Sequence, residues 1–540
     1  MCVLGGSNTQ KERDVKILFI IPPFPARTYP GKTMGPDYLV SALFKHGFTQ
    51  VEILDLDVLG VKALKREMKK DYDLIGISFL SFQTDVAMKI AEKCHRIMRK
   101  KGRRRKKSRE YVPIIVGNCG ATWGYELARL YPHVDLWCLG EGLETIVEIA
   151  EYVEKGTLIE DRRKIKGTAF LEGRKIVVTE KRPLVANVDE YIPVRLHHYR
   201  AYDFDIFDYR KTAQVMTSFG CPYACVFCSE AMRGPVVRER SLESIRKEIE
   251  ILVKEGYRGI YFDDSTFTYR KKRTLAIAKM MKEFHENYGL VWGFNTRVDC
   301  LDEEVLRTVK ESGCVYLFCG VESLTPEVVA GMNKIIPQNR DYPPLVKTPE
   351  EYVERAKKVY RIMDRFGITK SCFLIFGGPK RTKEKGEVRI EVESFEDAKR
   401  TIETAVFELN PEYISINILR FIPDAVMSFA KPYAKLRGQK EPITGRYFSS
   451  KYRKMKKIRK RHMKHPIYLA FEAASDFYMV PPKITPRYAY DILKYLVDMV
   501  NLHNKISKTK TLIWVDKEFR KYLRVDKDGI HHLTEFSEIG

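Results

Sequence analysis

At 540 residues, with 44% apolar and 31% charged side chains, the chain has room for three or four domains and the composition of an ordinary folded protein. No run of about 18 apolar residues occurs, which argues against a membrane span. The start, Met1-Cys2-Val3-Leu4-Gly5-Gly6, lacks a basic stretch followed by a long apolar one, so no signal peptide is expected and a cytoplasmic location is. A formal charge of +24 favours anionic partners, whether nucleic acid, lipid headgroups or acidic small molecules.

In chain order, residues 1–14 form a tail, and 15–155 read as a first α/β domain. Lys16 to Ile21 is an apolar strand ending at Pro22-Pro23, Tyr38 to Phe44 a helix closing at Gly47, and Val51 to Asp55 a second strand. Leu74 to Ser78 and Val112 to Gly117 are two more, with helical stretches between. Short, almost continuously apolar strands alternating with helices predict a parallel sheet covered on both faces. Ligands of such sheets bind beyond the carboxyl ends of the strands. Here those ends carry Ser78, Gly117 to Thr122 and Gly140-Glu141-Gly142, small or polar residues that let a ligand approach the backbone. The Lys100 to Lys107 block reads as a solvated basic loop or helix face.

With the helix near Met34-Gly35-Pro36 and the Gly-Glu-Gly turn, this stretch resembles the flavodoxin/Rossmann-like cobalamin-binding domain that precedes the barrel in one branch of the radical S-adenosylmethionine (SAM) superfamily. The resemblance implies cobalamin contacts at Ser78, Gly117, Thr122, Gly140, Glu141 and Gly142. One departure stands out: the DxHxxG motif, whose histidine coordinates cobalt, is absent. Asp55 to Gly60 has its outline with Asp57 in the histidine's place, and His46 does not fit. Cobalamin without a histidine ligand and a fold that has lost its cofactor are both compatible with this.

Residues 156–208 read as a linker with a short hairpin at Gly167 to Val178. The most telling run follows: Cys221, Cys225 and Cys228, spaced CxxxCxxC. Three thiolates in one loop can hold three irons of a [4Fe–4S] cluster and leave the fourth open. Three is an odd number for disulfides, and a zinc site would want a fourth Cys or His nearby. The remaining cysteines fall mostly in apolar segments and read as small hydrophobes in a reducing compartment. After the loop come five strand–helix alternations, ending at Asp264, Arg297, Ser323, Pro379 and Leu419, with a first strand ending at Thr217. Catalytic groups of βα barrels converge at the carboxyl ends of the strands.

The motif and the alternation, over 209–430, resemble the partial (βα)6 barrel of the radical SAM superfamily. Its members bind SAM to the open iron and cleave it to a 5'-deoxyadenosyl radical that abstracts hydrogen. The resemblance implies that Cys221, Cys225 and Cys228 ligate the cluster and that Phe227 lies against the adenine. It further implies that Asp263 and Asp264 contact the SAM amino group or ribose, Arg297 the SAM carboxylate, and Glu322 SAM. Gly377 and Gly378 would leave room for the nucleoside. Each has a plain alternative: the Asp-Asp pair can cap a helix, Arg297 can neutralise Asp299 or Glu322, and Gly377-Gly378-Pro379 is a good turn. Ile335 to Pro344 reads as a surface loop or a lid, and Arg420 to Val426 departs from the family's Pro-Gly-Thr-Pro run.

Residues 431–540 read as a mostly helical, basic domain. Tyr452, Met455 and Ile458, three residues apart within Lys451 to Arg461, form the apolar stripe of a basic helix suited to anionic headgroups or phosphates. Taken with the resemblance, these features imply a radical SAM enzyme with a [4Fe–4S] cluster, SAM and cobalamin, methylating or joining carbon on a lipid or other hydrophobic or anionic substrate. Its partners would be that substrate, a ferredoxin- or flavodoxin-like electron donor and the surface of an anionic membrane; nucleic acid is less favoured. The open alternatives are a radical SAM enzyme without cobalamin and a non-enzymatic iron–sulfur or corrinoid sensor. No catalytic side chain beyond the cofactor contacts is signalled.

Overall fold

The computed structural model describes residues 12–23, 34–102, 111–195, 211–337, 339–343, 345–384, 386–419, 483–508, 510–514 and 522–539. They divide into two compact units, one ending before residue 199 and one running from there to the C-terminus.

The first unit is a seven-stranded sheet in the order β2-β1-β3-β4-β5-β6-β7, with β1 Ile17–Ile21, β2 Val51–Asp55, β3 Leu74–Ser78, β4 Ile114–Gly117, β5 Leu136–Cys138, β6 Thr168–Glu172 and β7 Lys175–Val178. Strands β1 to β5 are parallel. Every residue of β1 and β3 is buried, because helices cover both faces and no side chain can face water. The order 2-1-3-4-5 reverses direction beside β1, the point at which open α/β sheets bind ligands. Strands β6 and β7 are the hairpin expected within a linker; they add antiparallel to β5 and extend the sheet. The segment from 156 to 195 is therefore part of the first unit.

The second unit is an open parallel sheet in the order β18-β17-β14-β13-β12-β11-β8. Its strands are β8 Thr212–Val215, β11 Gly259–Phe262, β12 Val291–Arg297, β13 Cys314–Glu322, β14 Thr369–Phe376, β17 Tyr413–Ile418 and β18 Leu512–Trp514. The first six follow chain order, with helices Leu242–Lys254, Lys271–Tyr288, Glu303–Glu311, Pro349–Phe366 and Phe395–Glu403 between them. Residues alternate along each strand. Cys372, Leu374 and Phe376 of β14 and Ile414, Ile416 and Ile418 of β17 join the helices in one large core, which leaves Phe373, Ile375, Ser415 and Asn417 on the inner face.

Tertiary packing adds three features to the sequence reading. Strands β15 Pro379–Glu384 and β16 Glu387–Val392 form a hairpin after β14. Helix Pro486–Ser507 packs Ala489, Ile492, Leu493, Leu496 and Val500 into the barrel core. Strand β18 pairs parallel with β17, and Leu523–Val525 forms a hairpin with His531–Leu533, so the described C-terminal residues complete this unit. The basic block Lys451 to Arg461, most of Lys100 to Lys107 and the run after Leu419 lie outside the described residues.

Candidate active site

The cysteine loop leaves β8 through a two-residue strand, Ser218–Phe219, that pairs with Arg238–Glu239. Gly220 has φ +100, and a Cβ there would lie 2.3 Å from the Val236 carbonyl oxygen, so only glycine fits between that pairing and Cys221. The loop is tied from several directions. Its Val226 N–H donates to the Met332 carbonyl at 3.2 Å, Asn333 Nδ2 donates to the Ala224 carbonyl at 2.8 Å, and Asn339 N–H donates to the Pro222 carbonyl at 3.1 Å. Tyr223 and Pro337 form an isolated bridge, and the Tyr342 ring meets Tyr269 at 5.3 Å. The Ile335 to Pro344 segment, expected as a surface loop or lid, thus packs on the cysteine loop through Pro337 and Asn339.

Cys221 is buried, and Cys225 and Cys228 are half-buried rather than exposed. Burial pushes the Cys221 thiol up to about 11 and the Cys228 thiol higher still, so neither ionises readily until a metal replaces the proton. Among the described residues no three His, Cys, Asp or Glu side chains converge on one ion. The other described cysteines are also free thiols. Buried ones such as Cys94 and Cys300 are pushed up to about 12, which keeps them inert.

Several residues expected to touch SAM have other partners. Asp264 is buried; its Oδ1 accepts from the N–H groups of Thr217 at 2.6 Å and Ser218 at 2.9 Å, and its Oδ2 from the Thr217 hydroxyl. It anchors the approach to the cysteines and does not face a ligand. Arg297 is turned to Asp299, not to an open pocket: Nε and Nη2 reach the two carboxylate oxygens at 3.0 and 2.6 Å, and Nη1 donates to Cys225 Sγ at 3.0 Å. A Cβ on Gly378 would strike Met332 Cε at 2.4 Å, and one on Gly377, where φ is +78, would strike Ile484 at 2.8 Å. These glycines serve close packing rather than space for a nucleoside.

Others remain available. Glu322 has φ +66 at the end of β13, where a side chain is strained. Its Oε1 accepts from Lys334 Nζ at 3.1 Å, while Oε2 is buried and has no partner. A buried orphan oxygen is costly unless a ligand satisfies it. Asp263 is half-buried at the end of β11 and bonded to Gln214 Nε2 at 2.9 Å and Asn295 Nδ2 at 2.8 Å. Phe227 lies half-buried on an apolar shelf with Val226, Met332, Ile375 and Leu419.

Sequence reasoning missed Lys334, Asn333 and Glu393, which no motif marks. Glu393 follows the β15–β16 hairpin and accepts through Oε2 from Gly377 N–H at 2.6 Å. Its Oε1 has no partner, and burial pushes the carboxyl from its ordinary 4.5 up to about 8. The folded chain then holds a proton that the unfolded chain has released. Stability is full below the unfolded pKa and falls as pH rises through about 8. Glu393→Gln is expected to melt higher than the parent at about pH 9 and alike near pH 5. Equal differences at both would contradict the protonated state.

In the first unit, Ser78, Gly117, Thr122 and Gly140 gather at the carboxyl ends of β3, β4 and β5. Thr122 Oγ1 accepts from Gly140 N–H at 3.0 Å and donates to the Asn118 carbonyl at 3.1 Å; Asn118 Nδ2 donates to Ser78 Oγ at 3.4 Å. A Cβ at Gly140 would meet nothing within 4 Å, and at Gly117 only Cys138 at 3.9 Å, so both strand ends are open. Gly142 opens helix Leu143–Lys155 against Leu39. Glu141 Oε2 accepts from Val185 N–H at 3.1 Å and so fastens the chain after the hairpin instead of facing the strand ends. His46 bonds Ala42 of its own helix, and Asp55, not Asp57, caps the next.

A model of the radical SAM superfamily matches residues 215–391. An uncharacterized methyltransferase of Pyrococcus horikoshii is 30% identical over 386 residues, 70% of this chain and 77% of that one. The anaerobic magnesium-protoporphyrin IX monomethyl ester cyclase of Cereibacter sphaeroides is 25% identical over 64% of this chain and 54% of its own length. Among solved structures, the radical SAM methyltransferase TsrM of Kitasatospora setae superposes with a TM-score of 0.61 at 17% identity, covering 78% of this chain and 76% of that one. The cobalamin-dependent radical SAM enzyme OxsB reaches 0.55 at 14% identity, over 97% of this chain and 64% of that one. At these identities the two structures speak for the fold alone. With three cysteines in one loop after the first strand of a seven-stranded parallel sheet, and a relative alike over most of both chains, this protein belongs to the radical SAM superfamily, enzymes that work with a [4Fe–4S] cluster and SAM.

Proposed function

We propose that the chain is a cobalamin-dependent radical SAM enzyme that methylates, or joins carbon to, an unactivated carbon of a hydrophobic or anionic small molecule or lipid. The observation that carries this reading is the open set of small-residue strand ends in the first unit, beside β1, in a chain whose second unit carries the cysteine loop. Cys221, Cys225 and Cys228 would hold the cluster. Glu322, through its orphan oxygen, would accept from the SAM amino group, with Asp263 on the ribose and Phe227 against the adenine. Ser78, Gly117, Thr122 and Gly140 would cradle cobalamin. When bound, the cluster and SAM supply a hydrogen-abstracting radical and cobalamin supplies a methyl group. The chain's own share is to exclude water with the apolar shelf and to orient SAM by hydrogen bonds made on one side of the barrel mouth. A relative named for a protoporphyrin ester favours a hydrophobic substrate. No described helix is long and apolar enough to cross a membrane. A ferredoxin- or flavodoxin-like protein would deliver the electron.

The test is metal content after anaerobic reconstitution with iron, sulfide and hydroxocobalamin, followed by desalting. About four irons and one cobalt per chain are expected, together with 5'-deoxyadenosine formed from SAM on reduction. Iron without cobalt would remove methyl transfer from the reading, and no iron would end it.

A further inference from the structure

We propose that Arg297 sets the electron affinity of the cluster by donating to the Cys225 sulfur, and that it is not the clamp for the SAM carboxylate. The proposal rests on the cluster assignment above. The guanidinium is 5% exposed and held on every side. Nε and one N–H of Nη2 form a fork on the Asp299 carboxylate at 3.0 and 2.6 Å, and Nη2 also donates to the Lys334 carbonyl. The guanidinium carbon stands 4.0 Å above the centre of the Tyr223 ring, whose hydroxyl contacts Cys300 Sγ at 2.9 Å. That leaves Nη1, which points one N–H at Cys225 Sγ at 3.0 Å.

Two consequences follow from this geometry. Bidentate recognition of a carboxylate needs two parallel N–H groups on one edge. The Nε/Nη2 edge is occupied by Asp299, which is fully buried and belongs to the same turn after β12, so a second carboxylate would have to displace a partner tethered through the single intervening residue Val298. Sulfur ligands of iron keep lone pairs, and a hydrogen bond or positive charge beside them favours the reduced, more negative cluster. The cation lies between the sulfur and the carboxylate, so the nearer charge dominates what the sulfur feels. One electron from the external donor is therefore accepted at a higher potential than the same three thiolates would give without Arg297.

The test is a reductive titration followed by electron paramagnetic resonance on the full, reconstituted chain, with SAM affinity measured on the same samples. Arg297→Gln is expected to shift the one-electron reduction equilibrium against the reduced form on the order of tenfold, or 59 mV, with SAM affinity within about twofold. Arg297→Lys, which keeps the charge, should recover part of the shift. Because Arg297→Gln strands a buried Asp299, the double variant Arg297→Gln with Asp299→Asn removes both charges and should shift in the same direction. Iron content is measured throughout: failure of the parent to bind iron would count against the cluster assignment itself. An unchanged potential in iron-loaded Arg297→Gln, or a tenfold loss of SAM affinity, would overturn the proposal.

Discussion

Cys228→Ala is expected to lose the cluster and, with it, every trace of SAM cleavage. Under the cluster assignment each of the three thiolates would bind one iron, so a missing ligand would leave an iron exposed to solvent and the cluster would fall apart rather than weaken. Packing cannot compensate. Cys228 N–H donates to the Cys225 carbonyl at 3.1 Å, which holds the two thiols on one turn. Iron after anaerobic reconstitution should fall from about four per chain to below about one, and 5'-deoxyadenosine to the level without protein. Cys94→Ala is the control, a buried thiol in the first unit whose loss should leave both readings alone. Full iron and turnover in Cys228→Ala would sink the site assignment.

Arg240→Met should be the most destabilising single change away from the cysteines. Arg240 and Glu248 form an ion pair in which neither side chain is exposed. Arg240 Nη1 also donates to the Met216 carbonyl at 3.0 Å, and the Arg240 carbonyl accepts from Arg273, which binds the Thr217 carbonyl at 2.7 Å. Removing the cation strands a carboxylate without water, at a cost of about 3–5 kcal/mol. The double variant Arg240→Met with Glu248→Leu removes both charges and should recover most of that loss. Hydrogen exchange on the amides of helix Leu242–Lys254 reads the effect, and the approach to Gly220 should lose protection with it. A change below about 0.5 kcal/mol would mean that the pair is screened and the loop is held by other means.

Much of the fold was legible because both sheets are parallel over most of their strands. Strands buried on both faces must be apolar almost throughout, so β1, β3, β14 and β17 announce themselves as short runs between Gly and Pro turns. The hairpin β15–β16 was not, because strand and exposed loop share its charged composition, and only pairing distinguishes them. Helix Pro486–Ser507 falls in the stretch read as mostly helical, but its destination in the barrel core depends on which apolar stripe it meets. Within the site, spacing alone marks Cys221, Cys225 and Cys228, since three ligands to one cluster must come from one short loop.

The partners of the charged residues were a different matter. Arg297, Asp264 and Glu141 sit at strand ends where ligands bind, and the family resemblance together with that position made them expected cofactor contacts. In the folded chain Asp299 closes the Arg297 fork, the Thr217 and Ser218 amides take the Asp264 carboxylate, and the Val185 amide takes Glu141. Glu322 keeps an oxygen free, and Glu393 joins the strand ends from a hairpin that no motif marks. The sequence by itself determined the fold class, the candidate cluster loop and the ends of the strands, because those depend on local spacing and on periodic burial. Tertiary structure alone decided which carboxylates and cations remain open to a ligand, because a buried charge binds whatever donor or acceptor the topology brings within about 3 Å, and those partners come from strands and loops far apart in the chain.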